Sequence, residues 1–382
     1  MKGEFTVNKN RYVALSFILL IVLISGVLKY SSEKPGIKIG FVAGLSGRTS
    51  ELGISERAGA LIAVKEINEV GGIRGRHLEL VIRDDQNDPE IARKVDKELI
   101  AEGVVAIIGH ATSTMCLSVI DLMNQQEMLM IAPTASTTLL SGLDDFFIRI
   151  TPVSDAEMKA LARAAVEKLG LKTVSVIYDL ANKGLTEDNL KVFQTTYRQL
   201  KGKVISETTF TSGTNTAFSE LVRNASRVNA DGIFILAGSI DASLICQQVR
   251  KLNTNIPILL AGWATTADLI KHGGKSVEGI RYVQVIDVNS REPAFLQFAK
   301  KLKHKFRLDP NFGAIYAYQA VYMLHTAMRN ISDYHPKSLK NAILNQKVFP
   351  GLQHDLVINE FGDAKGIFDL FTVKDGKYIR EE

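Results

Sequence analysis

The chain has 382 residues, of which 46% are hydrophobic and 23% charged, and its formal net charge is +5. This composition is typical of a globular protein and excludes a disordered, collagen-like or multi-span membrane protein. Residues 1–35 hold five basic and two acidic side chains, so the rest of the chain is nearly neutral, which gives no reason to expect nucleic-acid binding. That remainder is long enough for two domains of about 100–200 residues each.

Residues 12–28 form an uncharged apolar run of 17 residues, preceded by Lys9 and Arg11 and followed by Lys29. A run of this length lies between a signal-peptide core of about 7–15 residues and a full membrane span of about 20. Basic residues before such a run keep the N-terminus in the cytoplasm. We therefore predict that residues 1–35 are a signal peptide or an uncleaved signal anchor, and that the rest is periplasmic or otherwise extracytoplasmic.

After this segment, short apolar runs alternate with amphipathic stretches, in the order IKIGFVAG, SERAGALIAVKEINEVGG, LELVIRDD, IARKVDKELIAEG and VVAIIGH. This alternation is typical of βαβ units whose parallel sheet is covered on both faces. In the first amphipathic stretch, Leu61, Val64, Ile67 and Val70 recur every three residues, which predicts one buried helical face. The two glycines that follow predict the end of that helix.

The α/β pattern resumes after Pro152 with a predicted helix at 156–169. Predicted strands follow at 173–179, 232–238 and 257–262. Pro152 favours a crossover between two units, because proline cannot extend a central strand. The last 90 residues contain two predicted helices, at about 293–306 and 313–329, and then strand-like segments. The sequence thus predicts two doubly wound α/β units.

Catalytic and metal-binding motifs are not found in this sequence. The GGKS segment at 273–276 lacks the glycine that a phosphate loop has five positions before its Gly-Lys pair. No GxGxxG follows the first strand, and neither G-x-S-x-G nor HExxH occurs. Asp84, Asp85 and Asp88 do not fit a calcium loop and are interpreted as helix-capping residues. We therefore expect no enzymatic activity, no metal and no cofactor.

Ligands of open α/β sheets bind beyond the carboxyl ends of the strands. Two such strand ends are rich in hydroxyl residues, the segments at 110–114 and 134–138. Their helix N-termini could bind a carboxylate, or Ser113 and Ser136 could simply cap the helices. In the second unit, the corresponding segments are 179–184, 239–241 and 262–265, the last of which holds Trp263, the only tryptophan and a candidate pocket wall.

Four segments, GLSGRTSELG, EINEVGGIRGRHLELVIRDDQNDP, VVAIIGHATST and MIAPTAS, resemble the type I periplasmic solute-binding proteins of ABC transporters, specifically the branched-chain amino acid (Leu/Ile/Val) binding family. The resemblance covers residues 36–382. It implies two doubly wound parallel-sheet lobes joined by a three-segment hinge, which close around a small ligand. Lobe 1 would comprise 36–153 and 286–362, and lobe 2 would comprise 154–285 and 363–382. The two cysteines would then lie in different lobes, as free thiols.

The resemblance also implies site residues in lobe 1. Members of this family hold the carboxylate and ammonium groups of an amino acid with residues after the third and fourth strands. These positions correspond here to Ser113, Thr134 through its backbone, and Ser136. An aromatic residue in the first loop of the family is replaced by Leu52.

In lobe 2 the same comparison predicts a site that includes Asn182, Asp241 and Trp263. The family often has an acidic residue, which accepts the ligand's ammonium, where this chain has Trp263-Ala264. Burying an unpaired ammonium is costly. Either Asp241 or another carboxylate therefore takes this role, or the ligand lacks an amine.

These features predict an exported, non-enzymatic binding protein that captures a small carboxylate-bearing solute, an amino acid or a related organic acid, and delivers it to an ABC transporter. The alternative is a membrane-tethered sensor module that signals to a receptor or kinase, because one fold serves both functions. Retention of the 12–28 segment as an anchor would favour the sensor.

Overall fold

A computed structural model describes residues 35–47, 50–252 and 255–381. The predicted N-terminal leader, with its apolar run at 12–28, lies outside the described residues apart from Pro35. Among the described residues, no helix combines the length and the apolar character needed to cross a membrane. The helices are α1 Glu51–Glu69, α2 Pro89–Ala101, α3 Ser113–Gln125, α4 Ser154–Arg163, α5 Lys183–Gln199, α6 Phe218–Ala225, α7 Ser239–Lys251, α8 Ala267–Gly273, α9 Pro293–Phe306, α10 Phe312–Asn330 and α11 Pro336–Gln346.

The strands form three sheets. They are β1 Ile37–Ala43, β2 Leu78–Asp84, β3 Ile107–Gly109, β4 Met130–Ala132, β5 Phe147–Arg149, β6 Thr173–Asp179, β7 Lys203–Phe210, β8 Gly232–Leu236, β9 Ile258–Leu260, β10 Arg281–Gln284, β11 Val348–Phe349, β12 Leu356–Ile358, β13 Ala364–Lys365, β14 Asp369–Lys374 and β15 Lys377–Arg380.

Lobe 1 is built on a five-stranded parallel sheet with the order β2-β1-β3-β4-β5. Successive residues of β1 enter opposite cores: Phe41 packs in the core on one face, and Val42 packs in the core on the other. Both faces are covered, as the continuous apolar strands predict. Helices α9–α11 and the small sheet β11–β13 also contribute to lobe 1, because Phe295, Leu339 and Phe349 belong to the same core as Phe41.

Lobe 2 is built on a seven-stranded sheet with the order β15-β14-β10-β9-β8-β6-β7. Strands β6–β10 are parallel, whereas β14 and β15 add an antiparallel edge. The chain passes between the lobes three times, between β5 and α4, between β10 and α9, and between β13 and β14. The predicted fold class is therefore confirmed. The domain limits proposed from the sequence stay a prediction, although β13 places the third crossing after Lys365.

The buried face of α1 agrees with the prediction at Val64 and Ile67 but not at Val70. Val70 is 82% exposed and lies beyond the helix end, whereas Ala63 is fully buried. Helix α1 packs closely on α10, and a Cβ atom at Gly59 would lie 2.0 Å from the carbonyl oxygen of Ala314. The closest approach of the two helices is thus made by small residues, Gly59 and Ala314. The sequence analysis also missed α11.

Candidate functional site

A cavity of about 80 Å³ lies between the two lobes, at the carboxyl ends of strands from both sheets. Its lining residues are Gly44, Glu51, Leu52, Gly53, Asn87, Ala111, Thr112, Asp179, Ala181, Asn182, Gly238, Ser239, Ile240, Asp241, Trp263 and Thr266. This space is several times the roughly 10–15 Å³ that a single water molecule needs. The cavity therefore suits a small organic molecule.

Much of the cavity wall is apolar. Leu52 and Ala111 contribute from lobe 1, and Ile240 and Trp263 contribute from lobe 2. Trp263 packs against hydrophobic cores of both lobes. Its indole Nε1 is buried and has no hydrogen-bond partner among the described residues. Since a buried N–H group without a partner is costly, this atom is a candidate donor to a bound ligand.

Three carboxylates, of Glu51, Asp179 and Asp241, line the same cavity, and no lysine or arginine is among its lining residues. Asp179 is 2% exposed and Asp241 is 4% exposed. Within the described residues, neither Glu51 nor Asp179 has an ion-pair partner. A buried carboxylate without a countercharge is unfavourable. The cavity therefore favours a ligand that brings a positive charge.

In lobe 2, Asp179 and Asp241 are connected through Ser212. The Ser212 backbone N–H donates to Asp179 Oδ1 at 2.8 Å, and its hydroxyl donates to Asp241 Oδ2. The Ala181 N–H also donates to Asp179 Oδ1, at 2.9 Å. Burial raises the pKa of Asp179 to about 6, and the nearby charge of Asp241 acts in the same direction. A positively charged group of a bound ligand would offset both the burial of Asp179 and its repulsion by Asp241.

Glu51 supplies a third carboxylate from lobe 1. It lies in the first turn of α1, and its Oε2 accepts a hydrogen bond from the Ser239 hydroxyl at the start of α7 in lobe 2. Burial raises the pKa of Glu51, while the hydrogen bond from Ser239 partly opposes that rise. Glu51 thus joins the lobes at the cavity wall.

Four of the predicted site residues, Leu52, Asn182, Asp241 and Trp263, line the cavity together. Asn182 also contacts the opposite lobe directly. Its side-chain oxygen accepts hydrogen bonds from the Thr114 backbone N–H at 3.2 Å and from the Thr114 hydroxyl at 3.1 Å. An amide oxygen of lobe 2 therefore lies at the N-terminus of α3.

Ser113, Thr134 and Ser136 are not among the lining residues of the cavity. Ser113 is 1% exposed, and its hydroxyl accepts a hydrogen bond from the Thr137 N–H at 3.3 Å. The cap of α3 is Thr112, not Ser113. The ligand-binding roles of Ser113, Thr134 and Ser136 remain predictions.

The Thr134 hydroxyl lies between two oxygens, 2.6 Å from the Ala111 carbonyl and 2.5 Å from Oε1 of Glu56. A hydroxyl has a single proton to donate, and a carbonyl can only accept. If that proton goes to Ala111, then Glu56 must donate its own proton to Thr134. Burial raises the pKa of Glu56 to about 8, which is consistent with a neutral carboxyl.

A buried ionic cluster lies behind the site. His110 is fully buried, with Nδ1 2.7 Å from Asp85 Oδ2 and Nε2 3.1 Å from Asp96 Oδ2. Burial lowers the pKa of His110, but the two carboxylates outweigh it and raise this pKa to about 10.

The capping interpretation is confirmed for Asp88, which accepts from the N–H groups of Glu90 and Ile91. It is wrong for Asp85, because that carboxylate orders the loop before α3 through His110. In the described part of the chain, no group of three or more His, Cys, Asp or Glu could hold a metal ion.

Sequence reasoning missed Glu51 as a site residue and assigned no role to Asp179. Glu51 directly precedes Leu52 in the first turn of α1, and Asp179 is the last residue of β6. An acidic residue at a strand end or in the first turn of the following helix is the signal that could have identified both. That Glu51 and Asp179 line the same cavity depends on the relative position of the two lobes. The local sequence pattern does not predict this position.

Comparisons with known proteins agree with this architecture. The family model described as "Periplasmic binding protein" matches residues 36–377. The Leucine-, isoleucine-, valine-, threonine-, and alanine-binding protein of Pseudomonas aeruginosa is 24% identical over 94% of this chain and 95% of its own length. The Leu/Ile/Val-binding protein of Escherichia coli K12 is 25% identical over 88% of this chain and 90% of its own.

Several solved structures are similar to this one. The leucine binding protein LivK of Thermotoga maritima has a TM-score of 0.83 and 26% identity, and the match covers 91% of this chain and 98% of that one. LivJ of Streptococcus pneumoniae, in complex with isoleucine, has a TM-score of 0.80 at 23% identity over 91% of this chain and all of its own. A benzoate complex of a solute-binding protein from R. palustris has a TM-score of 0.82 at 19% identity over 90% of this chain and 95% of its own. The chain thus belongs to the periplasmic binding protein family, with the branched-chain amino acid binding proteins among its relatives.

Proposed function

We propose that this protein is an exported solute-binding protein that captures a small amino acid between its lobes and delivers it to an ABC transporter. The observation that carries the proposal is the pair Glu51 and Asp179, two carboxylates that line the cavity and have no ion-pair partner among the described residues. The ammonium of an amino acid supplies the missing countercharge. The leucine and isoleucine named for the relatives have apolar side chains, which suit the wall formed by Leu52, Ile240 and Trp263.

An acid without an amine, such as the benzoate named for the R. palustris protein, fits this cavity less well. Its carboxylate would be added to the three that already line the cavity, and no lysine or arginine there would compensate. The carboxylate of an amino acid meets the same three charges, but its ammonium offsets them. For that carboxylate we propose the segment of Ala111 and Thr112, which lines the cavity directly before the positive N-terminus of α3.

Capture would proceed by hinged closure of the lobes at the three crossings. In a transporter role, the closed form is recognised by the membrane permease. In the alternative role, the protein stays tethered by residues 12–28 and its closed form signals to a membrane receptor. The mass of the mature protein from its own cells separates the two, since a tethered sensor retains the apolar run and a released carrier lacks it.

Calorimetric titration tests the ligand class with matched compounds. Leucine and 4-methylpentanoate share the carboxylate and the aliphatic chain, and only leucine has the amine. Other aliphatic amino acids are each paired in the same way with the acid that lacks the amine. We expect leucine or one of these amino acids to bind at least about tenfold more tightly than its deaminated partner, because a hydrogen bond to a charged group contributes about 1.5–3 kcal/mol. Equal binding of both members of every pair, or binding of benzoate alone, would contradict the proposal.

A further inference from the structure

A chain of hydrogen bonds connects the side chain of Glu56 to the cavity wall. Glu56 lies on α1 and is fully buried. Its Oε1 is 2.5 Å from the Thr134 hydroxyl, which in turn is 2.6 Å from the carbonyl oxygen of Ala111. Ala111 and Thr112 line the cavity, whereas Glu56 and Thr134 do not. Glu56 therefore supports the Ala111–Thr112 segment from behind, through one hydroxyl group.

The protons of this chain favour a neutral Glu56. When the single proton of the Thr134 hydroxyl goes to Ala111, the short contact with Oε1 requires a proton from Glu56. The other carboxyl oxygen, Oε2, is buried and has no hydrogen-bond partner among the described residues. An unpaired oxygen of a neutral acid costs less to bury than one that shares a full negative charge. Both observations are explained if Glu56 is protonated and donates to Thr134.

The groups that face Glu56 have opposing effects on this proton. Burial is the largest cause and raises the pKa of Glu56 to about 8; Asp85 acts in the same direction and His110 in the opposite one. Cys116 also faces Glu56, but burial raises the pKa of its thiol well above the usual range, so it stays neutral. Helix α10 faces Glu56 with Gly313, where a Cβ atom would lie 3.4 Å from Glu56 Cγ. That helix therefore brings no charge to this contact.

We propose that Glu56 is a positioning residue whose proton holds the Ala111–Thr112 segment in place for the ligand, so that solute binding weakens when Glu56 ionises. This inference rests on the proposed function, which places the ligand's carboxylate at that segment. An ionised Glu56 would attract the Thr134 proton, because a hydrogen bond to a charged acceptor is stronger than one to a neutral carbonyl. The Ala111 carbonyl would then lose this donor, and the segment would lose a contact that fixes it.

The backbone amide of Ala111 tests this coupling by nuclear magnetic resonance without any ligand. The full chain is produced with isotopically labelled alanine, and the Ala111 resonance is identified by its loss in Ala111→Gly. We expect this resonance to shift between about pH 7 and 9 in the parent, and to stay in place in Glu56→Gln, whose amide can donate to Thr134 at every pH. Glu69→Gln, an exposed position on the same helix, is the matched control and should titrate like the parent. A resonance that does not shift in the parent, or shifts equally in Glu56→Gln, would overturn the proposal.

A second pair of variants covers the case in which Glu56→Gln does not fold. Thr134→Val removes the hydroxyl between Glu56 and Ala111, and Thr134→Ser retains a hydroxyl at the same place. We expect the pH-dependent shift of Ala111 to disappear in the first variant and to persist in the second. The same titration of Ala111 in both would show that the signal does not pass through this hydroxyl, and would contradict the inference.

The pH dependence of solute affinity tests the consequence for binding. Leucine is titrated by calorimetry into the parent and Glu56→Gln at about pH 7 and 9, and the loss of the solute's own ammonium proton affects both proteins equally. One pH unit above its pKa, about a tenth of Glu56 retains its proton, so we expect the affinity of the parent to fall about tenfold relative to that of Glu56→Gln. Parallel pH profiles would contradict the inference and leave the proposed function intact. If no aliphatic amino acid binds either protein, the proposed function fails, and the Ala111 titration still decides the positioning role.

Discussion

The carboxylate of Glu51 in lobe 1 accepts a hydrogen bond from the hydroxyl of Ser239 in lobe 2, at the wall of the interlobe cavity. This contact places a half-buried carboxyl group on lobe 1 at the cavity, whereas the family resemblance predicts the ammonium acceptor in lobe 2. Asp179 and Asp241 add carboxylates from the second lobe. The family's acidic ammonium acceptor is replaced in this chain by Trp263-Ala264. Three other carboxylates could take over its role, one from lobe 1 and two from lobe 2.

Replacing Glu51 should weaken ligand binding without unfolding the protein. Glu51→Gln keeps the shape and one acceptor oxygen for Ser239 but removes the charge that would bind an ammonium. We expect the dissociation constant of the amino acid ligand to rise by about 10- to 100-fold. Glu69→Gln, at the exposed end of the same helix, is the control for a general effect of charge. Parent-like affinity of Glu51→Gln in calorimetry would remove Glu51 from the site.

Trp263 should report ligand binding by fluorescence. It is the only tryptophan of the chain and lines the cavity, so a bound solute will change the polarity around its indole. We expect a shift in emission that saturates at the stoichiometry found by calorimetry, and weaker binding of Trp263→Ala. Constant emission at saturation, together with parent-like affinity of the variant, would show that Trp263 only packs the interface.

The free energy of unfolding should fall as the pH rises from about 5 to 10. Glu56 has an ordinary pKa of 4.5 that is raised to about 8 by burial, so the folded state holds a proton that the unfolded state releases in this interval. The pKa of His110 is raised from 6.5 to about 10, so the folded state also holds a proton on this side chain that the unfolded state releases. The free energy of unfolding therefore continues to fall up to about pH 10.

Glu56→Gln isolates the first of these contributions. The glutamine does not titrate, so the free energy of unfolding of the variant should lack the decrease that the parent shows between about pH 4.5 and 8. We expect that decrease to be on the order of a few kcal/mol. Chemical denaturation at several pH values measures this difference. Parallel stability profiles of the parent and Glu56→Gln would show that Glu56 is ionised in the folded protein.

The two thiols should be unreactive in the folded protein. The prediction that both cysteines are free is confirmed, and both are buried, Cys116 in lobe 1 and Cys246 in lobe 2. Burial raises the pKa of Cys246 to about 12 and that of Cys116 well above its usual range. We expect no alkylation at pH 8 in native protein and two modified thiols after denaturation, as counted by mass spectrometry. Rapid modification of Cys116 in the native state would indicate that the 110–114 loop opens.

The periodic parts of the fold were predictable from the sequence. Helix α9 begins and ends where the pattern places it, at Pro293 and Phe306, because proline favours the first turn and the apolar positions repeat regularly. Helix α1 was found, but its face was wrong at Val70. Close packing through Gly59 and Ala63 is a tertiary property, and small residues contribute little to a hydrophobic pattern.

The candidate site was predictable only in outline. The rule that ligands bind at strand carboxyl ends identified the loops that contain Asn182, Asp241 and Trp263. It could not show that Asp188, nearly two turns beyond Asn182, accepts hydrogen bonds from Thr137 and Thr138 of lobe 1. Nor could it show that Glu51 faces lobe 2, because both relationships depend on the rotation of one lobe relative to the other.

The chemical nature of the solute that the protein holds in its own cells tests the proposed function most directly. Protein purified without ligand exchange is denatured, and the released small molecules are measured by mass spectrometry before and after treatment with an amine-specific reagent. We predict one stoichiometric solute, of amino-acid size, that gains the mass of the reagent. A stoichiometric acid without an amine, such as an aromatic carboxylate, would contradict the role of the carboxylates of Glu51, Asp179 and Asp241.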